Sequence, residues 1–377
     1  MSRQSADIVV IGGGIVGAAC ARALAQSGRA PLLIERDVVG GGATAAGMGH
    51  VVALDDGIAE FALCRRSQIL WDELAPELPA GGEFERPGTL WIARTDRELE
   101  AARQKREFYR QHGMSAEVVD RAAIHEIEPN LHEAVIGGLV VENDAVVYPP
   151  VIAQWLIDQA VAAGGKLRLG VGVVACTADG VELTDGTFIT TPLVINATGH
   201  TATALCPELP LRPRKGHLAI TARYPGFVRH QLIELGYLDS AHGRDQSSVA
   251  FNVQPRATGQ MLIGSSRQFD DDRAEIELPL LAAMLRRAFM YLPGLAHLDI
   301  IRTWTGFRAT TPDNLPLIGP HPQRPNVFLA TGHEGLGITQ SLATAELVTQ
   351  LVQNQPTTLD PDAYAPARLL DEVAHAG

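Results

Sequence analysis

The chain has 377 residues, a length that fits about two domains. With 46% hydrophobic and 20% charged residues, its composition is that of an ordinary globular protein. Acidic residues outnumber basic ones by 43 to 31, and the net charge of -12 disfavours nucleic-acid binding, which usually needs a basic excess. The four cysteines form no CxxC motif and no Cys/His cluster, so neither a disulfide scaffold nor a metal site is expected. No signal-peptide pattern and no apolar span of ~20 residues is visible. We therefore expect a cytoplasmic protein without an integral membrane segment.

The first predicted element is a βαβ unit. Residues 7–11 form an unbroken apolar run of the kind that a parallel strand buried on both faces requires. Residues 18–25 are rich in helix formers, and Gly28 stands where a helix C-terminus needs a left-handed residue. Residues 32–34 provide the second strand.

A glycine turn joins the first strand to the helix. Gly12, Gly14 and Gly17 match the GxGxxG pattern, which permits a tight turn, close approach of a pyrophosphate and close helix–strand packing. Helix-start amides then face the phosphates. Glu35 ends the second strand, where an acid accepts hydrogen bonds from an adenosine ribose. The unit as a whole predicts a dinucleotide site, although glycines alone also terminate strands.

Mixed strands and helices follow along the chain. Thr95 and Glu98 form a capping box that opens a helix, and Lys215 begins a strand near the expected domain junction, where most lysines are solvated. The remaining predicted elements are strands at 88–93, 137–150 with a turn, 166–199 and 211–266, helices at about 150–163, 278–291 and 338–353, and a strand at 327–330.

Two further segments distinguish FAD from NAD. The small-residue stretch GGGATAAGMGH, residues 40–50, lets the backbone reach an extended FAD. A second glycine turn, TGHEGLGITQSLATAELV, residues 331–348, precedes the last predicted helix. A helix start of this kind stabilises negative charge on a reduced flavin, although an ordinary helix cap has the same pattern.

These motifs together resemble the D-amino-acid oxidase/glycine oxidase superfamily of FAD-dependent amine oxidoreductases over nearly the whole chain. The resemblance rests on IGGGIVG, Glu35-Arg36, TAAGMG, VINATG, GFRATTPDNLPLIG and ATGHEGLGITQSLATAELV in this order. Within the superfamily the chain looks most similar to bacterial D-hydroxyproline dehydrogenases, which have similar GMGHVV and GYLDSAHG segments.

The resemblance implies an α/β fold. It has a Rossmann-like FAD-binding domain of the glutathione-reductase type and a second, mixed-sheet α+β substrate domain. We expect residues 1–86, 143–212 and 300–377 to form the FAD-binding domain, and residues 87–142 and 213–299 to form the substrate-binding domain.

The resemblance also assigns roles to individual positions. The residues implied to bind the cofactor are Gly12, Gly14, Ile15, Val16, Gly17, Glu35, Arg36, Thr44, Ala45, Gly47, Met48, Val174, Ala197, Gly199, Gly332, Gly335, Gly337 and Ile338. Some members attach the flavin through a cysteine just before the TPD triplet. Here residues 306–310 contain no thiol, so noncovalent FAD is expected.

Four residues are candidates for the catalytic site. Arg308 matches the arginine that binds the substrate carboxylate, and its planar guanidinium suits bidentate binding, although a single arginine is more often a surface residue. His50 and His333 stand beside the glycine-rich segments, and each is equally compatible with a structural role. Glu334, next to His333, is equally compatible with a polar role in the site and with simple exposure. Tyr237 lies in a segment where related enzymes use an aromatic hydroxyl, although tyrosine is also common in half-buried sheets.

The expected reaction is FAD-dependent oxidation of a D-amino or D-imino acid, with cis-4-hydroxy-D-proline or D-proline as the best guess. The expected step is hydride transfer from Cα to flavin N5, giving an imine, and the protein contributes positioning and electrostatics. Open alternatives are a glycine/sarcosine-type oxidase that uses O2, a flavoprotein electron-transfer subunit, a tRNA-modifying relative and a noncatalytic nucleotide sensor. The expected partners are a small amino-acid substrate and an electron acceptor or small partner subunits.

Overall fold

We describe the fold from a computed structural model, which describes residues 3–54, 57–236, 247–269 and 271–370. The chain forms two compact units. The first unit contains residues 1–82, 148–213 and 307–377, and the second contains residues 83–147 and 214–306. The boundaries fall a few residues from the predicted domain boundaries, and the assignment of cofactor and substrate to separate units stays a prediction.

The described ranges contain the following helices and strands. The helices are α1 (Ile15–Gln26), α2 (Gly42–Ala46), α3 (Ile58–Leu74), α4 (Asp96–Gln111), α5 (Arg121–Ile127), α6 (Pro149–Ala162), α7 (Leu278–Phe289), α8 (Gly337–Val352) and α9 (Ala367–Leu370). The strands are β1 (Arg3–Ser5), β2 (Ile8–Ile11), β3 (Pro31–Glu35), β4 (His50–Val51), β5 (Thr89–Ala93), β6 (Glu117–Asp120), β7 (Gly137–Val141), β8 (Ala145–Val146), β9 (Lys166–Leu169), β10 (Val173–Thr177), β11 (Gly180–Leu183), β12 (Phe188–Thr190), β13 (Val194–Asn196), β14 (Arg212–Thr221), β15 (Gln231–Glu234), β16 (Ser247–Pro255), β17 (Met261–Gln268), β18 (Ile300–Thr310), β19 (Leu317–His321), β20 (Arg324–Thr331) and β21 (His333–Glu334).

A parallel sheet forms the centre of the first unit. In the described residues its strand order is β19-β20-β13-β2-β3-β9, and only β19 runs antiparallel to its neighbour. Every residue of β2 is buried, as expected for a parallel strand covered on both faces. Helix α1 packs against α6 and α8. The sheet therefore brings the ends of β2, β3 and β13 to one edge, where ligands bind in folds of this type.

A smaller sheet completes the first unit. Its order among the described strands is β1-β12-β11-β10, with β1 parallel to β12 and the other pairs antiparallel. Valine and leucine side chains from this sheet share an apolar core with β2 and β13 of the parallel sheet. The exposed Val174 side chain lies on β10.

A mixed sheet organises the second unit. Within the described part, β14, β17, β16, β15, β5, β7 and β6 are neighbours in that order, and β15 pairs parallel with β5. Helix α7 packs against β16 and β17. Phe251 stacks on Tyr291 with 4.4 Å between ring centroids inside the apolar core of this unit. Helix α4 begins with the predicted capping box, in which Thr95 Oγ1 accepts from Glu98 N and the Glu98 carboxylate accepts from Thr95 N.

One expectation about the second unit is wrong. Lys215 was expected to be solvated, but its side chain is fully buried on β14. Its Nζ donates to Asp271 Oδ2 at 2.8 Å, and Arg273 binds the other oxygen of that carboxylate. A buried ammonium group requires such a partner, and the partner lies 56 residues away along the chain.

Candidate functional site

The first glycine turn links β2 to α1. Gly12 has a φ of +102°, and a Cβ there would lie 2.7 Å from Ala197 O. A Cβ on Gly17 would lie 2.0 Å from Gly12 O, so both positions exclude a side chain. A Cβ on Gly14 would meet only Thr44 Oγ1, at 3.2 Å. Packing therefore explains Gly12 and Gly17, whereas Gly14 leaves its outer side open for a ligand.

Glu35 lies beside this turn at the end of β3. Its Oε2 accepts from Gly13 N at 2.6 Å, and its Oε1 accepts from Asp37 N at 2.8 Å. Each carboxylate oxygen has a further lone pair, so the group is still able to accept from ribose hydroxyls. The exposed Arg36 side chain pairs with Asp37 at 2.8 Å.

His200 lies near Arg36 and was not selected from the sequence. It follows Gly199, whose φ is +61° and whose carbonyl accepts from Thr331 Oγ1 at 2.9 Å. Burial and the positive charge of Arg36 lower the pKa of His200. The His200 ring lies 5.4 Å from the ring of Phe307. Val174, whose backbone is expected to face the adenine, lies on β10 with its side chain 51% exposed, and its role stays a prediction.

The small-residue segment, residues 40–50, approaches the starts of α1 and α8. Thr44 Oγ1 accepts from Ile15 N at 3.0 Å, which fixes this segment against the start of α1. Met48 is buried, whereas Ala45 is exposed. A Cβ on Gly47 would lie 2.9 Å from Ile338 Cδ1, so this glycine permits close approach of α8.

His50 follows this segment on β4. Its carbonyl accepts from Thr339 Oγ1 at 2.9 Å, and the Thr339 hydroxyl also lies 3.2 Å from Val52 N. The imidazole Nε2 is buried and has no hydrogen-bond partner among the described residues. Burial lowers the pKa of His50 to about 4, so the ring is neutral at pH 7. A buried ring nitrogen without a protein partner fits a group that meets a ligand.

The second glycine turn precedes α8. Gly332 has a φ of +83°, and a Cβ there would lie 2.8 Å from Thr311 Cγ2. A Cβ on Gly337 would lie 3.9 Å from Val16 Cγ2, so the two helix starts that follow the glycine turns are neighbours. The structure thus brings together two segments that are more than 300 residues apart in the sequence.

His333 is directed into the protein at this turn. Its side chain is buried, and its Nε2 forms a 2.9 Å hydrogen bond with Thr344 Oγ1 of α8. Burial lowers the pKa of His333 to about 3, so it is also neutral at pH 7. The hydrogen bond supports the structural alternative for this residue, and a catalytic role for it stays a prediction.

Arg308 meets the second glycine turn from β18. The end of β18 pairs antiparallel with β21, which places Ala309 opposite Glu334. Arg308 Nε lies 3.8 Å from Glu334 Oε1, and each side chain is 20% exposed. A Cβ on Gly335 would lie 3.6 Å from Arg308 Nε. The predicted carboxylate-binding arginine and an acidic residue therefore lie side by side at the glycine turn.

Tyr237, the fourth catalytic candidate, lies outside the described residues. Sequence reasoning also missed two contacts in the first unit. Thr339 links β4 to α8, and Glu334 pairs with Arg308, but both contacts join segments that become neighbours only in the folded chain. A serine or threonine in a helix start is too common to have been a signal.

Three metal-ligating side chains lie together elsewhere in the first unit. One donor atom each of Cys206, Glu208 and His321 lies within 4.8 Å of the others. The Glu208 carboxylate already accepts from Arg324 Nε at 2.7 Å, and His321 Nδ1 accepts from Gln323 N at 3.2 Å. The adjacent guanidinium opposes a second cation, so we assign no metal to this cluster.

The first unit fits the diphosphate and ring of an FAD. Helices α1 and α8 both begin without a side-chain cap and without an acidic residue in the first turn, as far as the described residues show. Their uncapped amide groups and positive dipole ends suit anionic groups. The open side of Gly14, the carboxylate of Glu35 and the unpartnered ring nitrogen of His50 suit the same ligand.

Comparison with known proteins decides the family. The model described as DAO, FAD dependent oxidoreductase, matches residues 7–351. The chain belongs to this family. The DAO-family chain is 28% identical to glycine oxidase of Bacillus licheniformis, over 94% of this chain and 95% of that protein. It is 25% identical to hydrogen cyanide synthase subunit HcnC of Pseudomonas aeruginosa, over 98% and 97% of the two chains.

Solved structures share the fold of this DAO-family chain. Glycine oxidase from Geobacillus kaustophilus superposes with a TM-score of 0.87 at 24% identity, over 98% of this chain and 99% of that chain. L-proline dehydrogenase from P. horikoshii gives the same TM-score, identity and coverage. The predicted family, the α/β fold class and the FAD-dependent oxidoreductase activity are therefore confirmed.

The remaining predictions are finer than these comparisons. The protein uses FAD, while its noncovalent attachment stays a prediction, as do the individual site residues. No helix in the described residues combines the length and the apolar character needed to cross a bilayer. The cytoplasmic location and the partner subunits also stay predictions.

Proposed function

We propose that this protein oxidises the Cα–N bond of an amino or imino acid. The observation that carries the proposal is the position of Arg308, a partly buried guanidinium beside the second glycine turn of a DAO-family enzyme. A planar guanidinium binds a carboxylate through two parallel hydrogen bonds, which fixes its orientation as well as its position. The similarity to glycine oxidases over almost the full chain supports an amine-bearing substrate.

The two glycine turns would hold the cofactor. Residues of the first turn with Glu35 and Arg36 would bind the ADP half, and the start of α8 would face the flavin. When bound, FAD accepts the two electrons and the hydrogen that leave the substrate carbon. The attachment would be noncovalent, because no cysteine lies in residues 306–310.

The protein's own residues would orient the substrate and exclude water. Arg308 would fix the carboxylate and thereby the direction of the Cα–H bond, which is the main contribution that positioning makes to such a reaction. The neutral His50 ring would offer one buried nitrogen to the bound ligands without adding charge. The amine has to be neutral when the hydride leaves Cα, so a substrate that binds with a protonated amine would first release that proton.

The proposed substrate is a cyclic D-imino acid, with cis-4-hydroxy-D-proline or D-proline as the first choice. This choice rests on the similarity of the GMGHVV and GYLDSAHG segments to D-hydroxyproline dehydrogenases. Most of the second segment falls in residues 237–246, which lie outside the described residues. A second candidate is a glycine-type oxidase that uses O2, because several curated glycine oxidases are 26–28% identical to this chain. The similarity to HcnC, named as a subunit, also favours an assembly with partner subunits that accept the electrons.

Anaerobic reduction of the bound flavin tests this proposal. The yellow protein is mixed without oxygen with D-proline, L-proline, cis-4-hydroxy-D-proline, glycine and sarcosine, and the flavin absorbance near 450 nm is followed. Bleaching by one of the cyclic D-imino acids is the expected result, and bleaching by glycine or sarcosine alone would favour the second candidate. A flavin that none of these compounds reduces would contradict amino-acid oxidation altogether.

Readmission of oxygen then separates the electron acceptors. Fast recovery of the absorbance together with H2O2 would identify an oxidase. Recovery only with an artificial dye would identify a dehydrogenase that passes electrons to a partner.

A further inference from the structure

We infer that Glu334 recognises the positively charged amine of the substrate while Arg308 recognises its carboxylate. The inference rests on the proposed function and deepens it, since Arg308 and Glu334 together would recognise both charged groups of an amino acid. Oxidation acts on the Cα–N bond, so a residue that senses the amine selects amine-bearing acids over other carboxylates.

The first observation is the spacing of the pair. Arg308 Nε and Glu334 Oε1 are 3.8 Å apart, which is within ion-pair range but beyond hydrogen-bond distance. The Arg66–Glu346 pair in the same unit has a similar exposure, yet it forms two hydrogen bonds, one of them at 2.8 Å. Arg308 and Glu334 therefore lie side by side with opposite charges, and these two atoms are not hydrogen-bonded to each other.

The second observation is the chemical complementarity of the pair. An α-amino acid carries its carboxylate and its amine on the same carbon, so its two charges are also neighbours. A cation and an anion held next to each other match this zwitterion, with each protein group facing the opposite charge. A lone arginine would bind every carboxylate equally well, whether or not it carries an amine.

The third observation is the backbone at Glu334. This residue has a φ of +48°, which is uncommon for a residue other than glycine, asparagine or aspartate. Residues held in this region occur preferentially at ligand-binding and active sites. Glu334 Oε2 also accepts from Gly335 N at 2.5 Å, so the carboxylate is held at the glycine turn. Gly335 beside it has no side chain to cover the Arg308 guanidinium.

A pair of ring compounds tests the inference by binding alone. Cyclopentanecarboxylate and 1-aminocyclopentane-1-carboxylate differ only by the amino group at Cα. The first has no amine to oxidise, and the second has no Cα–H bond. Each is titrated into the flavin-loaded protein, and its Kd is obtained from the change in the visible flavin spectrum. The ratio of the two Kd values measures recognition of the amine independently of turnover.

Glu334→Gln removes the charge and keeps the size. We expect the wild-type protein to prefer the amino compound and the variant to lose about tenfold or more of that preference. Cyclopentanecarboxylate should bind the variant as tightly as the wild type or more tightly, because Glu334 no longer competes for Arg308. Glu334→Asn, which accepts a positive φ readily, should lose the same preference and provides a second variant with an undisturbed backbone.

Glu346→Gln is the matched control. It also removes a half-buried carboxylate from an arginine in the first unit, and it should leave the Kd ratio unchanged. If the two Glu334 variants weaken both ligands equally, Glu334 only positions Arg308 and the inference is overturned. The same holds if the wild-type protein shows no preference. Anaerobic bleaching of the wild-type flavin by amino acids keeps the proposed function intact in either case.

Discussion

Each unit of the molecule contains a cation–carboxylate pair, and the two pairs differ in how completely they are closed. In the second unit, Lys215 Nζ lies 2.8 Å from Asp271, and the two side chains are 0% and 6% exposed. In the first unit, Arg308 and Glu334 are 3.8 Å apart and each is 20% exposed. Separating a buried, hydrogen-bonded ion pair is costly, because it leaves a buried charge without its partner. The Arg308–Glu334 pair, in which each side chain is 20% exposed, is more accessible to a ligand. We therefore propose that the first pair contributes to stability and the second to binding.

Breaking the Lys215–Asp271 pair, the closed pair, should lower the melting temperature and have the largest effect. Asp271→Asn keeps a group that accepts from Lys215 but leaves the buried ammonium without a countercharge, which is strongly destabilising. We expect the melting temperature to fall by roughly 10 °C. Thermal unfolding followed by circular dichroism measures it.

Arg273→Gln is the control for this change, because it removes the 70% exposed partner from the same carboxylate. It should lower the melting temperature by less than about 2 °C, as exposed ion pairs contribute little. Equal decreases in melting temperature in the two variants would show that the buried contact of Asp271 with Lys215 stabilises the protein no more than the exposed contact with Arg273.

Breaking the Arg308–Glu334 pair, the open pair, should weaken substrate binding rather than lower the stability of the protein. Arg308→Leu removes the proposed carboxylate contact, a charge-assisted interaction of about 1.5–3 kcal/mol, so the half-saturating substrate concentration should rise about 30-fold. FAD should stay bound, and the melting temperature should change by less than about 2 °C. The rate of anaerobic flavin reduction against substrate concentration gives the half-saturation value.

Arg66→Leu provides a matched comparison within the first unit. It breaks the hydrogen-bonded pair with Glu346, whose side chain is 21% exposed, and should leave half-saturation unchanged. An Arg308→Leu enzyme with wild-type half-saturation would remove the basis for assigning the substrate carboxylate to this residue.

The local parts of both units could be predicted from the sequence. The turn at Gly12 and the packing at Gly17 are fixed within one βαβ unit, so their spacing alone carries the information. The capping box of Thr95 and Glu98 is equally local. Helix α3 was not predicted, because it buries Glu60, Ser67 and Gln68 and so lacks a clear apolar stripe.

The two ion pairs could not be predicted, because each joins distant segments. Lys215 meets Asp271 through the neighbouring strands β14 and β17, and Arg308 meets Glu334 through the pairing of β18 with β21. A sequence pattern gives the residue types on each strand, but the register between strands decides which charges become neighbours. The expected exposure of Lys215 was wrong for this reason.

Lowering the pH should reduce the stability that the Lys215–Asp271 pair contributes, and this is the smallest of the expected effects. Hydrogen bonds from Lys215 and then Arg273 hold the pKa of Asp271 well below its usual range. A carboxyl group whose pKa is depressed by folding contributes stability above its unfolded pKa of about 4 and loses it as the pH falls toward the folded value. The difference in melting temperature between the wild type and Asp271→Asn should therefore be constant from pH 8 to pH 5. Below about pH 4 it should narrow by roughly 3 °C per pH unit.

The open pair supplies the contrast for this titration. Arg308→Leu breaks a pair that we assign to binding, so its difference in melting temperature from the wild type should stay small throughout the same pH series. Melting curves of the three proteins in matched buffers at constant ionic strength give both differences. A gap between wild type and Asp271→Asn that stays constant down to pH 3 would mean that the Asp271 charge does not stabilise the folded state. Burial of Lys215 would then have to be explained by packing of its aliphatic stem.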